Sequence, residues 1–310
     1  MAPMRILISG ASGLIGTAAS SALRADGHTV AHIVRPGGNF LSGDVRWDPV
    51  AGAIELRAME GADVIIHLSG ASIGQGHWTQ ERKSILRASR IESTRLLVNA
   101  IEKLGHKPRV LLSASAIGYY GNRGDEVLTE SSTNGSDFLA KLTSDWEAES
   151  RRADSLGVRT ALLRFGVILS TRGGALPRML LPFRLGLGGR LGSGKQWMSW
   201  VALADVVETV RAAVADERFS GPINIVAPNP VQNSKFTRVL ARALRRPALF
   251  PAPAFMLRLA LGEMADELLL TSQRVEPGKL KETGFPFQFP ELQSALTAVF
   301  RELQMDREKH

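Results

Sequence analysis

The chain has 310 residues, 44% of them apolar and 22% charged, and its 30 glycines follow no three-residue period, which excludes disordered, collagen-like and coiled-coil classes. That is about twice the ~150-residue norm for one domain, so one large domain or a main domain with an appendage is expected. Zero cysteines remove disulfides, thiolate zinc sites, Cys-ligated iron–sulfur clusters and cysteine nucleophiles, while a net charge of +8 suits anionic ligands, phosphates as well as nucleic acid.

In chain order, Arg5 to Ser9, Thr29 to Arg35, Val64 to Ser69, Val110 to Ala114 and Arg159 to Phe165 read as strands. Leu14 to Ala25, Glu81 to Leu104 and Asp137 to Leu156 carry apolar residues at helical spacing between them. The alternation predicts an α/β fold, a Rossmann-like, doubly wound parallel sheet with helices on both faces. From about Ser170 it fades into a smaller, mostly helical C-terminal region, with helical patterns at Leu203 to Ala215, Phe236 to Leu244, Phe255 to Leu261 and Pro290 to Leu303 and a strand at Ile223 to Val226. No apolar run approaches the ~20 residues of a membrane span, and Met1 to Ser9 lacks the pattern of a secretion signal, so a cytoplasmic protein without a membrane partner is expected.

Gly10, Gly13 and Gly16 follow the first strand directly and open the first helix, in the order Gly-Ala-Ser-Gly-Leu-Ile-Gly. Glycines there permit a tight turn and close backbone approach, and the helix N-terminus at Leu14 and Ile15 offers unpaired N–H groups to a pyrophosphate. The G-x-x-G-x-x-G spacing departs from G-x-G-x-x-G, but the context of strand, turn and helix is met, so the loop is read as a dinucleotide site. An acidic residue ending the second strand would bond the ribose hydroxyls of NAD; Arg35 stands there instead and suits a 2′-phosphate, with Ser12 as a further hydroxyl donor. The expected cofactor is NADP(H). Residues 1–169 are assigned to this dinucleotide-binding domain, with 197–227 contributing, and 170–310 to a substrate region and C-terminal domain.

The two tyrosines, Tyr119 and Tyr120, are adjacent and follow the strand at Val110 to Ala114, so any phenolic acid or base is one of them. Gly189 to Lys195 reads G-x-x-x-x-G-K without the Ser/Thr, strand and helix of a phosphate-binding P-loop, and is taken as a glycine-rich loop with Arg190, Lys195 and Gln196 available to a polar ligand. His28 and His32 do not converge on a metal, and no metal site is expected. The arginines are scattered, so nucleic acid is not an expected partner.

The glycine triplet, His67-Leu68-Ser69-Gly70-Ala71 and Ser113-Ala114-Ser115 followed by Tyr119-Tyr120-Gly121 resemble the extended short-chain dehydrogenase/reductases. Trp78-Thr79, Trp146-Glu147, Arg164-Phe165-Gly166-Val167, Gly189 to Gln196 and Gly221-Pro222-Ile223-Asn224 narrow the resemblance to their atypical branch, the NAD-dependent epimerase/dehydratase-like proteins with a C-terminal domain of unknown function. The resemblance implies a Rossmann-like domain and a nicotinamide cofactor, with Leu68, Ser69, Gly70, Ser113, Arg164 and Gly166 among its contacts. It implies a substrate-orienting role for Ser115 and a homodimer through the two long helices. Aligning on Trp146-Glu147 puts Leu139 and Thr143 where the superfamily's tyrosine and lysine stand, so the usual acid/base pair is absent. Lys141 reads as a solvent-facing residue paired with Asp137 at i, i+4. Trp200 to Asp205 resembles a family segment in which Ala202 and Ala204 replace a histidine and an aspartate; Asp205 reads as a cap of the helix beginning there. Two functions follow: an NADP(H)-binding oxidoreductase or epimerase-like protein with a small polar or phosphorylated substrate, using Ser115 to orient it and Tyr119 or Tyr120 for proton transfer unless both tyrosines only pack; or a non-enzymatic NADPH-binding sensor or interaction protein.

Overall fold

The computed structural model describes residues 2–308. Eight strands, β1 (Arg5–Ser9), β2 (Thr29–Val34), β3 (Val45–Asp48), β4 (Ala53–Ile54), β5 (Val64–His67), β6 (Val110–Ala116), β7 (Arg159–Phe165) and β8 (Gly221–Ile225), form one sheet in the order β8-β7-β6-β5-β1-β2-β3-β4. Every neighbouring pair is parallel except β3 with β4. From β1 the chain winds outward through β2 to β4, then crosses back to β5 on the other side. The reversal opens a crevice at the carboxyl ends of β1 and β5.

The longer helices are α1 (Leu14–Ala25), α2 (Gln80–Ala88), α3 (Ile91–Lys103), α4 (Phe138–Arg151), α5 (Leu176–Arg184), α6 (Leu203–Ala215), α7 (Asn233–Leu244), α8 (Ala254–Leu261) and α9 (Leu292–Glu308). The period-2 geometry of a strand sorts the apolar run of β1 onto two faces. Ile6 and Ile8 join Ala19 and Leu23 of α1 and Val206 and Val210 of α6, while Leu7 faces Leu97, Val98 and Ile101 of α3. A third cluster, with Leu180, Phe183, Trp200, Phe236, Leu240 and Leu296, packs α5, α7 and α9 together.

The single helix read over Glu81 to Leu104 is two helices. Ser89 caps the first, and Arg90 leaves helical continuity with φ −113° and ψ −59°. The break is held by side chains that satisfy backbone carbonyls: the Ser89 hydroxyl and Arg90 Nη1 both donate to Leu86 O, and the Ser93 hydroxyl donates to Ser89 O. Likewise α4 ends at Arg151, before a 3-10 turn at Asp154–Leu156. Asp137 does not act as an ion partner of Lys141; its carboxylate caps α4 by accepting from the Ala140 N–H at 2.8 Å, and Lys141 is exposed.

Candidate functional site

The crevice is lined first by the glycine loop, where the backbone leaves no room for side chains. Gly10 has φ +70°, and a Cβ there would lie 2.7 Å from Leu68 C and O. A Cβ on Gly16 would strike Gly10 O and Ala11 Cα. Gly13 is the N-cap of α1 and carries no capping side chain, and α1 has no acidic residue in its first turn. The N–H groups of Leu14, Ile15 and Gly16 therefore face the crevice unpaired by the helix, at its positive end. Ser12 and Arg35 are both exposed beside this loop, Arg35 immediately after β2, and the Arg35 guanidinium has no ion-pair partner among the described residues.

The loop after β5 supplies the opposite wall. Leu68 N–H donates to Ser9 O at 3.1 Å, which brings Leu68 and Ser69 against Gly10. Arg90, which motif reading missed because it lies inside an apparently regular helical run, holds this wall. Its guanidinium is buried without a carboxylate partner among the described residues, donates to Ala71 O at 3.0 Å, and stands 3.2 Å from where a Cβ on Gly70 would lie. Burial, followed by the charge of Arg82, pulls it down to about 10, so it remains cationic at neutral pH. Beneath it, the Thr94 hydroxyl donates to Arg90 O and accepts from Trp146 Nε1, leaving one lone pair for His67 Nε2 at 3.0 Å. The His67 proton is thereby assigned to Nε2, and Nδ1 accepts from the Ser9 hydroxyl at 2.7 Å. Burial lowers the imidazole to about 4, so it is neutral.

A second network lies deeper. Arg164 donates to both oxygens of Glu147, at 2.7 and 2.8 Å, and the Ser115 hydroxyl donates to Glu147 Oε1 at 2.6 Å. Arg164 Nη1 donates to the Tyr120 hydroxyl at 2.9 Å, which in turn donates to Asn224 Oδ1 at 2.6 Å. All five residues are buried. Burial opposes the Arg164 charge, but the hydrogen bonds and charge of Glu147 outweigh it and hold the group above its ordinary value, while burial pushes Tyr120 up to about 12. The network ties β6, β7, β8 and α4 together, and it holds three residues that the sequence offered for the site. Arg164, expected among the cofactor's contacts, is a buried ion-pair partner of Glu147. The Ser115 hydroxyl, expected to orient a substrate oxygen, donates to Glu147 Oε1. Tyr120 is sealed and titrates far above neutrality, which unsuits it for proton transfer. Ser113 is also turned inward, its hydroxyl 2.8 Å from that of Ser150. Gly166 packs backbone on backbone, a Cβ there lying 2.6 Å from Ser199 O.

Tyr119 differs from its neighbour. It is half-buried, its ring lies under Arg164 with 3.6 Å from Cζ to the centroid, and its hydroxyl has no hydrogen-bond partner among the described residues. Next to it, Gly118 abuts Leu139 and Thr143, the two residues in place of the acid/base pair; Thr143 turns its hydroxyl back onto Leu139 O at 2.7 Å. Glu267 also reaches Leu139: its carboxylate accepts from the Phe138 and Leu139 N–H groups at 3.2 and 2.8 Å. Burial, and then the charge of Asp137, push it up to about 7 against those two bonds. No sequence signal marks Glu267, which reaches α4 from 128 residues away.

The glycine-rich segment does not form a phosphate loop. Gly189 allows contact with the backbone of Phe250, and the Gln196 amide is buried, donating to Leu191 O and Leu269 O, so Gln196 is not free for a ligand. Asp205 caps no helix of its own; it is buried and accepts from the Gln288 and Phe289 N–H groups, which anchors the segment before α9.

Comparison with known proteins agrees with this architecture. Residues 6–226 match the NAD dependent epimerase/dehydratase family and residues 252–299 a domain of unknown function, DUF1731. An epimerase family protein of Mycobacterium bovis is 43% identical over 296 residues, 96% of this chain and 97% of its own length. The crystal structure of human epimerase family protein SDR39U1 (isoform2) with NADPH is 33% identical, with a TM-score of 0.87 over 96% of this chain and 99% of that one. A nucleoside-diphosphate sugar epimerase of Corynebacterium glutamicum is 34% identical, with a TM-score of 0.79 over 99% of this chain and 62% of that one. Family model, relatives and fold agree: the chain belongs to the NAD-dependent epimerase/dehydratase family, as an atypical extended short-chain dehydrogenase/reductase carrying a DUF1731 C-terminal domain.

Proposed function

We propose that the protein is an NADP(H)-dependent oxidoreductase or epimerase-like enzyme acting on a small polar substrate. The observation that carries the cofactor choice is Arg35, an exposed guanidinium without an ion partner at the strand end where an acidic side chain would meet a ribose hydroxyl. Gly10, Gly13 and Gly16 would hold the pyrophosphate against the first N–H groups of α1, with Ser12 and Arg35 on the 2′-phosphate. The human relative solved with NADPH supports the same choice. When bound, the nicotinamide would supply hydride transfer. For the accompanying proton, Tyr119 and Glu267 are the favoured groups, because one has a hydroxyl without a hydrogen-bond partner among the described residues and the other is pushed up to about 7; Gly118, beside Tyr119, abuts Leu139, and Glu267 accepts from the Leu139 N–H. Family membership does not favour the non-enzymatic alternative.

The test is a titration of wild type and Arg35→Ala with NADPH and NADH, followed by a screen of polar carbonyl and hydroxyl compounds read by nicotinamide absorbance. A charge-assisted bond contributes about 1.5–3 kcal/mol, so wild type is expected to prefer NADPH by roughly 10- to 150-fold and Arg35→Ala to lose that preference. Equal wild-type affinity for the two nucleotides refutes the cofactor assignment.

A further inference from the structure

The C-terminal region presents a second charged surface, away from the glycine loop. An open cavity of about 640 Å³ is lined by Arg190, Arg238, Arg242, Arg245 and Arg246, and no acidic residue among the described residues lines it. None of the five has an ion-pair partner among the described residues. Arg238 and Arg242 stand one turn apart on α7, and Arg245 ends that helix in a left-handed turn with φ 54°. Arg190 reaches the cavity from the glycine-rich segment, which runs beside 250–252: Phe250 N–H donates to Gly188 O at 3.1 Å and Ala252 N–H to Arg190 O at 2.9 Å.

The same segments expose apolar side chains. Leu249, itself in the cavity wall, is 74% exposed, and Leu187 and Phe250 are exposed beside it. Immediately afterwards comes α8, with the sequence AFMLRLAL, and none of its residues is buried. Phe255 is 68% and Leu259 87% exposed. So short a helix is not stable by propensity alone, and one this apolar ordinarily buries its surface. Large exposed apolar patches mark interaction surfaces, and here the exposed apolar residues begin at Leu249 in the wall of the arginine cavity and continue along the chain into α8.

We propose that this face docks onto an anionic phospholipid surface. The guanidinium forks would bind headgroup phosphates in the arginine cavity, and Leu249, Phe255, Met256 and Leu259 would enter the boundary with the acyl chains. The charge argues against a second copy of this chain as the occupant, because a two-fold contact through this face would bring two arginine clusters together. The attachment is peripheral, since no helix among the described residues is long and apolar enough to cross a membrane.

Flotation of the full chain with phosphatidylcholine vesicles, and with equimolar phosphatidylcholine and phosphatidylglycerol, tests the proposal. Binding is expected only with phosphatidylglycerol, weakening with salt. Each neutralised arginine should lower it about fivefold, so Arg238→Gln with Arg242→Gln lowers it roughly 25-fold. Leu259→Ser, with every arginine retained, should lower it by at least about tenfold. NADPH affinity, measured in parallel, should be unchanged in these variants, which separates lost docking from lost folding. Absence of binding to phosphatidylglycerol vesicles overturns the proposal, as does binding indifferent to Leu259→Ser. Retention of a generic duplex that matches vesicle binding and is untouched by Leu259→Ser makes the face a nucleic-acid site and overturns it equally.

Discussion

Removing Glu147 should be among the most damaging single substitutions in the chain. Its carboxylate neutralises Arg164, whose side chain is 1% exposed, and accepts two guanidinium bonds and the Ser115 hydroxyl at 2.6 to 2.8 Å. Glu147→Ala leaves a desolvated cation and a buried hydroxyl without an acceptor. Breaking such a pair from one side costs about 3–5 kcal/mol, a large share of the ~5–15 kcal/mol that folded proteins have in all. At about 2–4 °C per kcal/mol for larger domains, the melting temperature should fall by roughly 6–20 °C. Replacing both partners with apolar residues of similar volume, Glu147→Leu with Arg164→Met, removes the charge altogether and should recover much of the loss. Denaturant unfolding of the three proteins, with Arg95→Ala as a surface control, decides the matter. Arg95 bonds Glu149 but is 44% exposed, so its loss should cost about 0–1 kcal/mol. If Glu147→Ala costs no more than Arg95→Ala, Arg164 does not depend on Glu147 and the network argument fails.

Gly16→Ala should abolish measurable NADPH binding in a nucleotide titration, because the new methyl meets Gly10 O and Ala11 Cα; Gly27→Ala, with φ +86° but no atom within 4 Å, should cost about 1 kcal/mol of stability and leave affinity intact. Once a substrate is in hand, Tyr119→Phe or Glu267→Gln should lower kcat by about 10²-fold or more, and Tyr120→Phe should act on stability instead; unchanged kcat in both of the first two removes them from the proton path. Glu267, pushed from 4.5 to about 7, binds its proton more tightly folded than unfolded, so the folded state loses stability as pH rises through that window. Glu267→Gln should remove this decline in denaturant midpoints taken at stepped pH. His67, lowered from 6.5 to about 4, has the opposite slope: its contribution is complete above 6.5 and is lost as pH falls toward 4, which the same series reads on the acid side.

The sheet was legible because two-faced burial forces near-continuous apolar strands, and β1 and β7 fall on the residues that the pattern marks. β3 was not, since four residues, Val45 to Asp48, bury only Val45 and Trp47 and carry too little pattern to stand out from a loop. The helix break at Ser89 and Arg90 was equally hidden. Neither residue is a glycine or proline, and the interruption comes from side chains reaching carbonyls whose availability only the tertiary structure reveals.

The cofactor loop and the chemistry differ in legibility for one physical reason. A glycine required by backbone crowding leaves a local signature, because Gly10, Gly13 and Gly16 belong to one strand–turn–helix segment. Proton-transfer groups are defined by environment, and environment is assembled from distant segments. Ser115 looks right in sequence, yet its hydroxyl donates its hydrogen bond to Glu147, 32 residues on. Tyr119 and Tyr120 are indistinguishable in sequence, yet Asn224 and Arg164 seal one hydroxyl and leave the other uncommitted. Glu267 carries no motif, and acquires its neutral-range titration from burial beside Asp137 at the start of α4. With Leu139 where the resemblance places the tyrosine of typical relatives, the two groups proposed for proton transfer come from different parts of the chain: Tyr119 follows β6, and Glu267 belongs to the C-terminal region. Single and double replacement therefore separate them. A shared role predicts that the double variant loses no more than the worse single variant, whereas independent roles predict that the losses multiply.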